Sequence, residues 1–360
     1  MKTVDKTTLY NFGQATTIAA SSSSSPSSFV FRTTTGGARG RVKVAASRIP
    51  YASEMVPIAG EDICFHTYDP DAKFSESPPK ALVIFFHGYI AHGTFPTSRM
   101  VADLLVANGY SVVAPDAPGH GLSTGIRGYL ESGEKVTTFG VGAVDHAYKT
   151  YLGRIATEKV SHPDMPSPGL KVFLIGSSMG GNIALQTALR RSHVVSGVIL
   201  MAPMLRITVI NPITRFFIMK SAKIMPLTEA IPVLKCTHYR SPDVAKECER
   251  DMLKPHQQGD MVRLGTIKTL VELTDSLECQ YEHVTTPCLV MVGDEDKQVN
   301  NKGAVELVKR ATSKDMALKR YPALHGLMGE PAPLLNRIQD DMIRWLDERC
   351  NQDHFVESSL

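Results

Sequence analysis

The sequence predicts an α/β protein, a mostly parallel, doubly wound sheet with a helical cap inserted after its sixth strand. Three observations carry that expectation. Short apolar runs bounded by turn residues alternate with stretches of helical spacing along most of the chain. One run, Val172-Phe173-Leu174-Ile175, passes through Gly176-Ser177-Ser178-Met179-Gly180-Gly181 straight into a helical stretch over residues 182–191. A long, apolar, proline-broken interval, residues 203–282, then interrupts the alternation.

Residues 1–50 differ in kind from the rest of the chain. Ser21 to Ser28 is serine broken only by Pro26, Asp5 is the only acid before Glu54, and basic residues such as Lys2, Arg32, Arg41 and Lys43 are scattered through it. A Ser-rich, basic, acid-poor composition predicts an organelle transit peptide, and Arg41 to Ala46 is similar to the end of a plastid one. A disordered tail without an address is the alternative, and with it a cytoplasmic or membrane-peripheral location. A short tail, 351–360, closes the chain.

The core is expected over 51–202 and 283–350. The partial alternation of Ile63 to Tyr68, followed by the polar turn Asp69 to Pro79, predicts an edge hairpin. Ala81 to Phe86 is a continuous apolar run of the kind a strand covered on both faces shows, and it stops at His87-Gly88. Helical spacing follows over 97–109, a strand over Tyr110 to Ala114, a helix over Val136 to Ile155, and strands over Leu170 to Ile175, Val194 to Met201, Pro287 to Val292 and Met316 to Tyr321. Leu334, Ile338, Met342 and Leu346 set one face of a closing helix. The interval 203–282 far exceeds the roughly two to six residues usual for such a connection. Met204, Leu205, Ile207, Val209, Ile210 and the run Phe216 to Met219 make it greasy enough to read as a cap over the sheet's active end, with Met204, Leu205, Phe216 and Phe217 lining or covering an acyl pocket.

Composition narrows the function by exclusion. A chain 43% hydrophobic and 21% charged is an ordinary globular sequence, and a net charge of +3 is too small to point to nucleic acid. Six cysteines without CxxC spacing suggest neither a zinc site nor a disulfide framework. The most apolar stretch, Val194 to Ile210, carries Pro203 and Arg206 and reads as a core strand rather than a membrane span. Gly119 and Gly121 lack the strand-to-helix context of a dinucleotide site, so their turn reads as structural.

The chemistry is expected at Ser178. Strand, Gly-x-Ser-x-Gly and helix in that order describe a nucleophile elbow, a turn so tight that only small residues fit at Gly176, Gly180 and Gly181. A serine hydroxyl needs a base, and the base needs a third group to hold its tautomer. His325 follows the last strand and is the expected base. Asp294, Glu295 and Asp296 share the turn after the strand before it, and position alone does not choose among them. His87-Gly88-Tyr89 ends a central strand, so the Tyr89 amide beside that of Met179 is the expected oxyanion site.

Phe85 to Tyr89, Pro115 to Ser123, Gly176 to Gly181, Gly293 to Asp296 and Tyr321 to His325 together resemble the monoacylglycerol lipase and lysophospholipase-like branch of the α/β-hydrolases, over about Ile58 to Glu348. The resemblance implies a Ser178, Asp296, His325 triad, since the family pattern Gly-x-x-Asp selects Asp296. It also implies oxyanion donors at Tyr89 and Met179, a mobile apolar cap, and neither metal nor cofactor; transient contact of that cap with a membrane surface is a further expectation that the sequence does not fix. The implied substrate is a small acyl lipid ester, a monoacylglycerol or lysophospholipid, cleaved through an acyl-enzyme. Some plant members take phenylpropanoid esters. An acyltransferase using the same triad and a non-catalytic ligand-binding protein are the rivals. Ser177 stands where many members have histidine and Gln298 where valine is common, which bears on substrate rather than mechanism. The sequence does not fix an oligomeric state.

Overall fold

In the computed structural model of the chain the described residues are 49–70, 79–161, 169–207, 212–232, 239–255 and 261–351. The expected transit segment, Val209, Ile210 and nearly all of the C-terminal tail lie outside them. The chain runs β1 (Ala52–Ile58), β2 (Glu61–Tyr68), β3 (Leu82–Phe86), α1 (Pro96–Ala107), β4 (Ser111–Pro115), α2 (Gly133–Ser161), β5 (Val172–Ser177), α3 (Met179–Arg190) and β6 (Gly197–Met201). It continues through α4 (Pro212–Ile224), β7 (Glu229–Pro232), α5 (Pro242–Arg250), β8 (Met261–Arg263), α6 (Leu264–Glu278), β9 (Cys288–Gly293), α7 (Lys302–Arg310), β10 (Met316–Tyr321) and α8 (Leu334–Cys350).

Eight strands form one sheet in the order β1-β2-β4-β3-β5-β6-β9-β10, and β7 pairs with β8 separately. β1–β2 and β2–β4 are antiparallel and every other pairing in the large sheet is parallel. The central strands are buried on both faces, so their side chains alternate between two cores. Leu82, Ile84 and Phe86 join α2, α3, α6 and α7 on one side. Val83 and Phe85 join α1 and α8 on the other, where Ile338, Met342 and Leu346 are fully buried. The order reverses at β3, whose neighbours are β4 and β5, and that crevice at the strands' carboxyl ends is where such sheets hold their chemistry.

The edge hairpin differs from its expected form. β2 pairs with a strand that precedes it, through a turn in which Ala59 and Gly60 take φ of 56° and 82°. β1 was not expected because its burial alternates between half-buried and exposed, with Pro57 in the run, and so lacks an apolar signature.

The described residues of the interval 203–282 do not form one layer. Leu273, Leu277 and Tyr281 are buried in the α2–α3 core, and Val244 and Cys248 of α5 are buried in the α1–α8 core. On α4, by contrast, Ile213, Phe216, Phe217 and Ile224 are exposed. Among the described residues no helix is long and apolar enough to cross a membrane.

Candidate active site

β5 ends at Ser177, and α3 begins two residues later at Met179. Ser178 between them takes φ 53°, ψ −116°, a backbone conformation costly for any residue with a Cβ. The turn persists because its neighbours determine it. The Ser178 N–H donates to the Met201 carbonyl at 2.9 Å, and the Ser178 carbonyl accepts from Gly181 and Met204 at 3.0 and 2.9 Å. Glycine is required where backbones meet: a Cβ on Gly176 would strike the Gly180 carbonyl, and one on Gly180 would strike the Phe86 carbonyl at the end of β3. The same closeness sets the serine against the neighbouring loop, since a Cβ on Gly88 would stand 3.4 Å from the Ser178 Cβ. Met179, the first residue of α3, carries one of the helix's leading amides, which have no acceptor within the helix.

The loop after β3 is fixed by histidine chemistry. His87 is buried, donates from Nδ1 to the Gly88 carbonyl at 2.8 Å, and accepts the Ala117 N–H at Nε2 at 2.9 Å. This pattern defines a neutral ring, and burial pushes its pKa down to about 4. Beyond it, the Tyr89 phenol donates to the Gly128 carbonyl at 2.6 Å. His120 Nε2 lies 2.6 Å from the Tyr89 carbonyl oxygen. The Tyr89 side chain and its backbone carbonyl are thus each anchored by one bond.

Asp116, in the glycine-rich turn after β4, ties these loops down. Its carboxylate accepts the Gly93 and Leu122 N–H groups at 2.6 and 2.7 Å and lies 3.1 Å from His66 Nε2. Burial alone would raise its pKa, but the hydrogen bond from His66 and the nearby histidine rings bring it down to about 2. Cys64 completes a buried group whose ligand atoms lie within 4.8 Å of one another, with its thiol pushed up to about 12 by burial. Gly121, at φ 51°, sits where a Cβ would occupy the Asp116 carboxylate's place, so the glycines of this turn are structural.

The carboxylate and the imidazole come from the ends of β9 and β10. His325 Nδ1 donates to Asp296 Oδ2 at 2.7 Å, so Nε2 is the ring nitrogen that faces away from the carboxylate. The Asp296 side chain is fully buried, and its other oxygen accepts the N–H groups of Gln298 and Val299 at 2.7 and 3.1 Å. Asp294 points elsewhere: it pairs with Arg320 at 2.7 Å on the surface. Glu295 lies 3.0 Å from Arg240.

The four residues expected to line an acyl pocket divide. Met204 and Leu205 are buried in the core beside Met179, because they follow β6 directly and pack back onto the sheet, while Phe216 and Phe217 are exposed on α4. A cleft of about 720 Å³ adjoins Asp296, and its lining includes Arg206, Asp294, Lys297, Lys302 and Arg320 beside Val299 and Val305.

His87 carries a stability prediction. Its folded pKa near 4 lies below the ordinary value of 6.5, so on acidification the unfolded chain takes up a proton that the folded chain refuses. Stability should fall between about pH 6.5 and 4, by roughly 3 kcal/mol in all. Urea unfolding across that window should show a flatter curve for His87→Gln than for the wild type, and parallel curves would count against the assignment.

A sheet with an antiparallel leading pair, a strained serine turn beyond β5 and a long insertion after β6 is the α/β-hydrolase fold, and the chain is a serine hydrolase of that superfamily. Residues 77–332 match the family described as serine aminopeptidase, S33, and the chain belongs to it. Within it, the chain falls in the monoacylglycerol lipase-like branch. It is 29% identical over 294 residues to a monoacylglycerol lipase of Mycolicibacterium smegmatis, covering 80% of this chain and 94% of that one. It is 26% identical over 281 residues to the caffeoylshikimate esterase of Arabidopsis thaliana, covering 76% and 79%. The crystal structure of a soluble variant of monoglyceride lipase from Saccharomyces cerevisiae with a substrate analog superposes with a TM-score of 0.66 at 20% identity, covering 82% and 94%.

Proposed function

We propose that the protein hydrolyses carboxylic esters of single-chain acyl lipids, monoacylglycerols or lysophospholipids, through a Ser178, His325, Asp296 triad. The observation that carries this reading is the 2.7 Å contact between His325 Nδ1 and the buried Asp296 carboxylate, on the same rim of the sheet as the strained Ser178 turn. In the proposed cycle His325 takes the Ser178 proton as the hydroxyl attacks the ester carbonyl, and returns it to the leaving alcohol. The Tyr89 and Met179 amides hold the oxyanion, and water, with His325 again as base, releases the fatty acid and frees the serine. No metal or cofactor takes part in this scheme.

The exposed α4 side chains Ile213, Phe216, Phe217 and Ile224, with Lys220 and Lys223 beside them, suit brief contact with a lipid surface. On this reading the outer part of 203–282 acts as a lid. Residues 1 to about 50 are proposed as a plastid address, which an import assay with that segment fused to a reporter would test.

Similarity to a caffeoylshikimate esterase favours aromatic esters as the second reading. Protein lacking residues 1–48 should be assayed against monoacylglycerols, lysophospholipids and phenylpropanoid esters, with and without an acceptor alcohol. The lipid esters should show the highest kcat/KM, with free fatty acid as product. A clear preference for aromatic esters overturns the lipid assignment, and acyl transfer to the added alcohol in place of free acid overturns the hydrolytic one.

A further inference from the structure

Residues 239–241, just ahead of α5, press on the loop that carries His325. Ser241 donates its N–H to the Gly329 carbonyl at 2.8 Å, and the Tyr239 ring packs so closely that a Cβ on Gly329 would collide with it. Between them the Arg240 guanidinium reaches two carboxylates. Its Nε donates to Glu330 Oε2 at 2.8 Å, and a terminal nitrogen lies 3.0 Å from Glu295 Oε1. Glu330 has a fully buried side chain, and its other oxygen accepts the Leu324 N–H at 2.6 Å. Leu324 precedes His325, and Glu295 precedes Asp296. One cation from the inserted segment therefore touches the carboxylates that adjoin both members of the His325–Asp296 pair.

We propose that Arg240 and Glu330 are positioning residues that hold the His325 loop in register with the Asp296 loop and fasten the inserted segment to both. This rests on the triad reading. A buried carboxylate is costly without a partner cation and donors for its lone pairs. Without Arg240, Glu330 loses the cation that orients its carboxylate, which loosens its hold on the Leu324 amide. His325 then drifts relative to Asp296 and Ser178, and displacements of the order of 1 Å cost up to about 100-fold in rate. A looser Asp296 contact also stabilises the imidazolium less, so the acid limb of the kcat/KM profile moves to lower pH.

The test compares Arg240→Ala, Arg240→Lys, Glu330→Gln and Glu330→Ala, with kcat expressed per active site titrated by a fluorophosphonate. R240A should lose about 10- to 100-fold in kcat and shift its acid limb downward. R240K, which keeps the charge but not the planar fork, should recover part of both. E330Q keeps an oxygen for the Leu324 amide and should lose less than E330A. Arg240 is 39% exposed, so its replacement leaves no cavity, and the Arg240 pair decides the matter if the Glu330 variants do not fold. A lowered Tm with kcat per site and acid limb unchanged would mean that the clamp only stabilises the fold, and the proposal falls. Ser178→Ala run alongside separates the two claims. Turnover retained there removes the triad, whereas an inactive S178A beside a wild-type-like R240A removes the clamp alone.

Discussion

Ser178→Ala is expected to lower kcat by about 10³-fold or more while leaving the fold unchanged. Both halves of that expectation come from the turn. The strain at φ 53°, ψ −116° belongs to any residue with a Cβ, so alanine occupies the position no less comfortably than serine does. The backbone bonds that fix it, from Ser178 N–H to Met201 and from Gly181 and Met204 to the Ser178 carbonyl, do not involve the hydroxyl. One half-buried oxygen is lost, and a surface-type change of that size moves stability by about 0.5 kcal/mol at most. The fall in rate is therefore chemical, and what remains is what the oxyanion amides and substrate binding supply alone. Thermal unfolding, steady-state hydrolysis of a monoacylglycerol and fluorophosphonate labelling check the three parts. Unchanged turnover in pure protein, or labelling of the alanine variant at the wild-type rate, would remove the serine from the mechanism.

What was legible in the sequence was whatever the chain encodes locally. Gly176 to Gly181 announces itself because a strand, a strained turn and a helix follow one another directly over Val172–Arg190. The buried strands are legible because double burial demands unbroken apolar runs. β1 was missed for the opposite reason, an exposed edge strand needing no such run, and α7 because Lys302 to Arg310 buries only Gly303, Ala304 and Leu307. Apolar composition also does not say how exposed a side chain is, and Met204 and Leu205, expected at the pocket, are buried in the cluster that holds Met179. Long-range partners were illegible altogether. The contact from Arg240 to Glu330 spans 90 residues, and a glutamate in a Gly/Pro-rich turn gives no sign that its carboxylate is buried. The same limit left three acids open in the turn after β9, because their separation depends on Arg320 and Arg240 as much as on His325.

That turn supplies the second large effect. Asp296→Asn should lower kcat by roughly 10⁴-fold, while Asp294→Asn stays within about twofold of wild type. An asparagine at 296 is almost isosteric, and its carbonyl oxygen can still accept the Gln298 and Val299 N–H groups that now bind Oδ1. The atom facing His325 then becomes an NH₂ donor in place of an acceptor. His325 Nδ1 must turn from donor to acceptor, which moves the ring proton to Nε2, the nitrogen that has to accept from Ser178. The base is disabled by its tautomer, and the fully buried negative charge that would stabilise the imidazolium is gone as well. At 294 the substitution breaks only a pair in which both side chains are about half exposed, a contact worth under about 1 kcal/mol. Measured side by side on one substrate, the two asparagine variants should differ by more than about 10³-fold. A crippled D294N beside an active D296N would place the acid two residues earlier and leave the 2.7 Å contact as a merely structural bond.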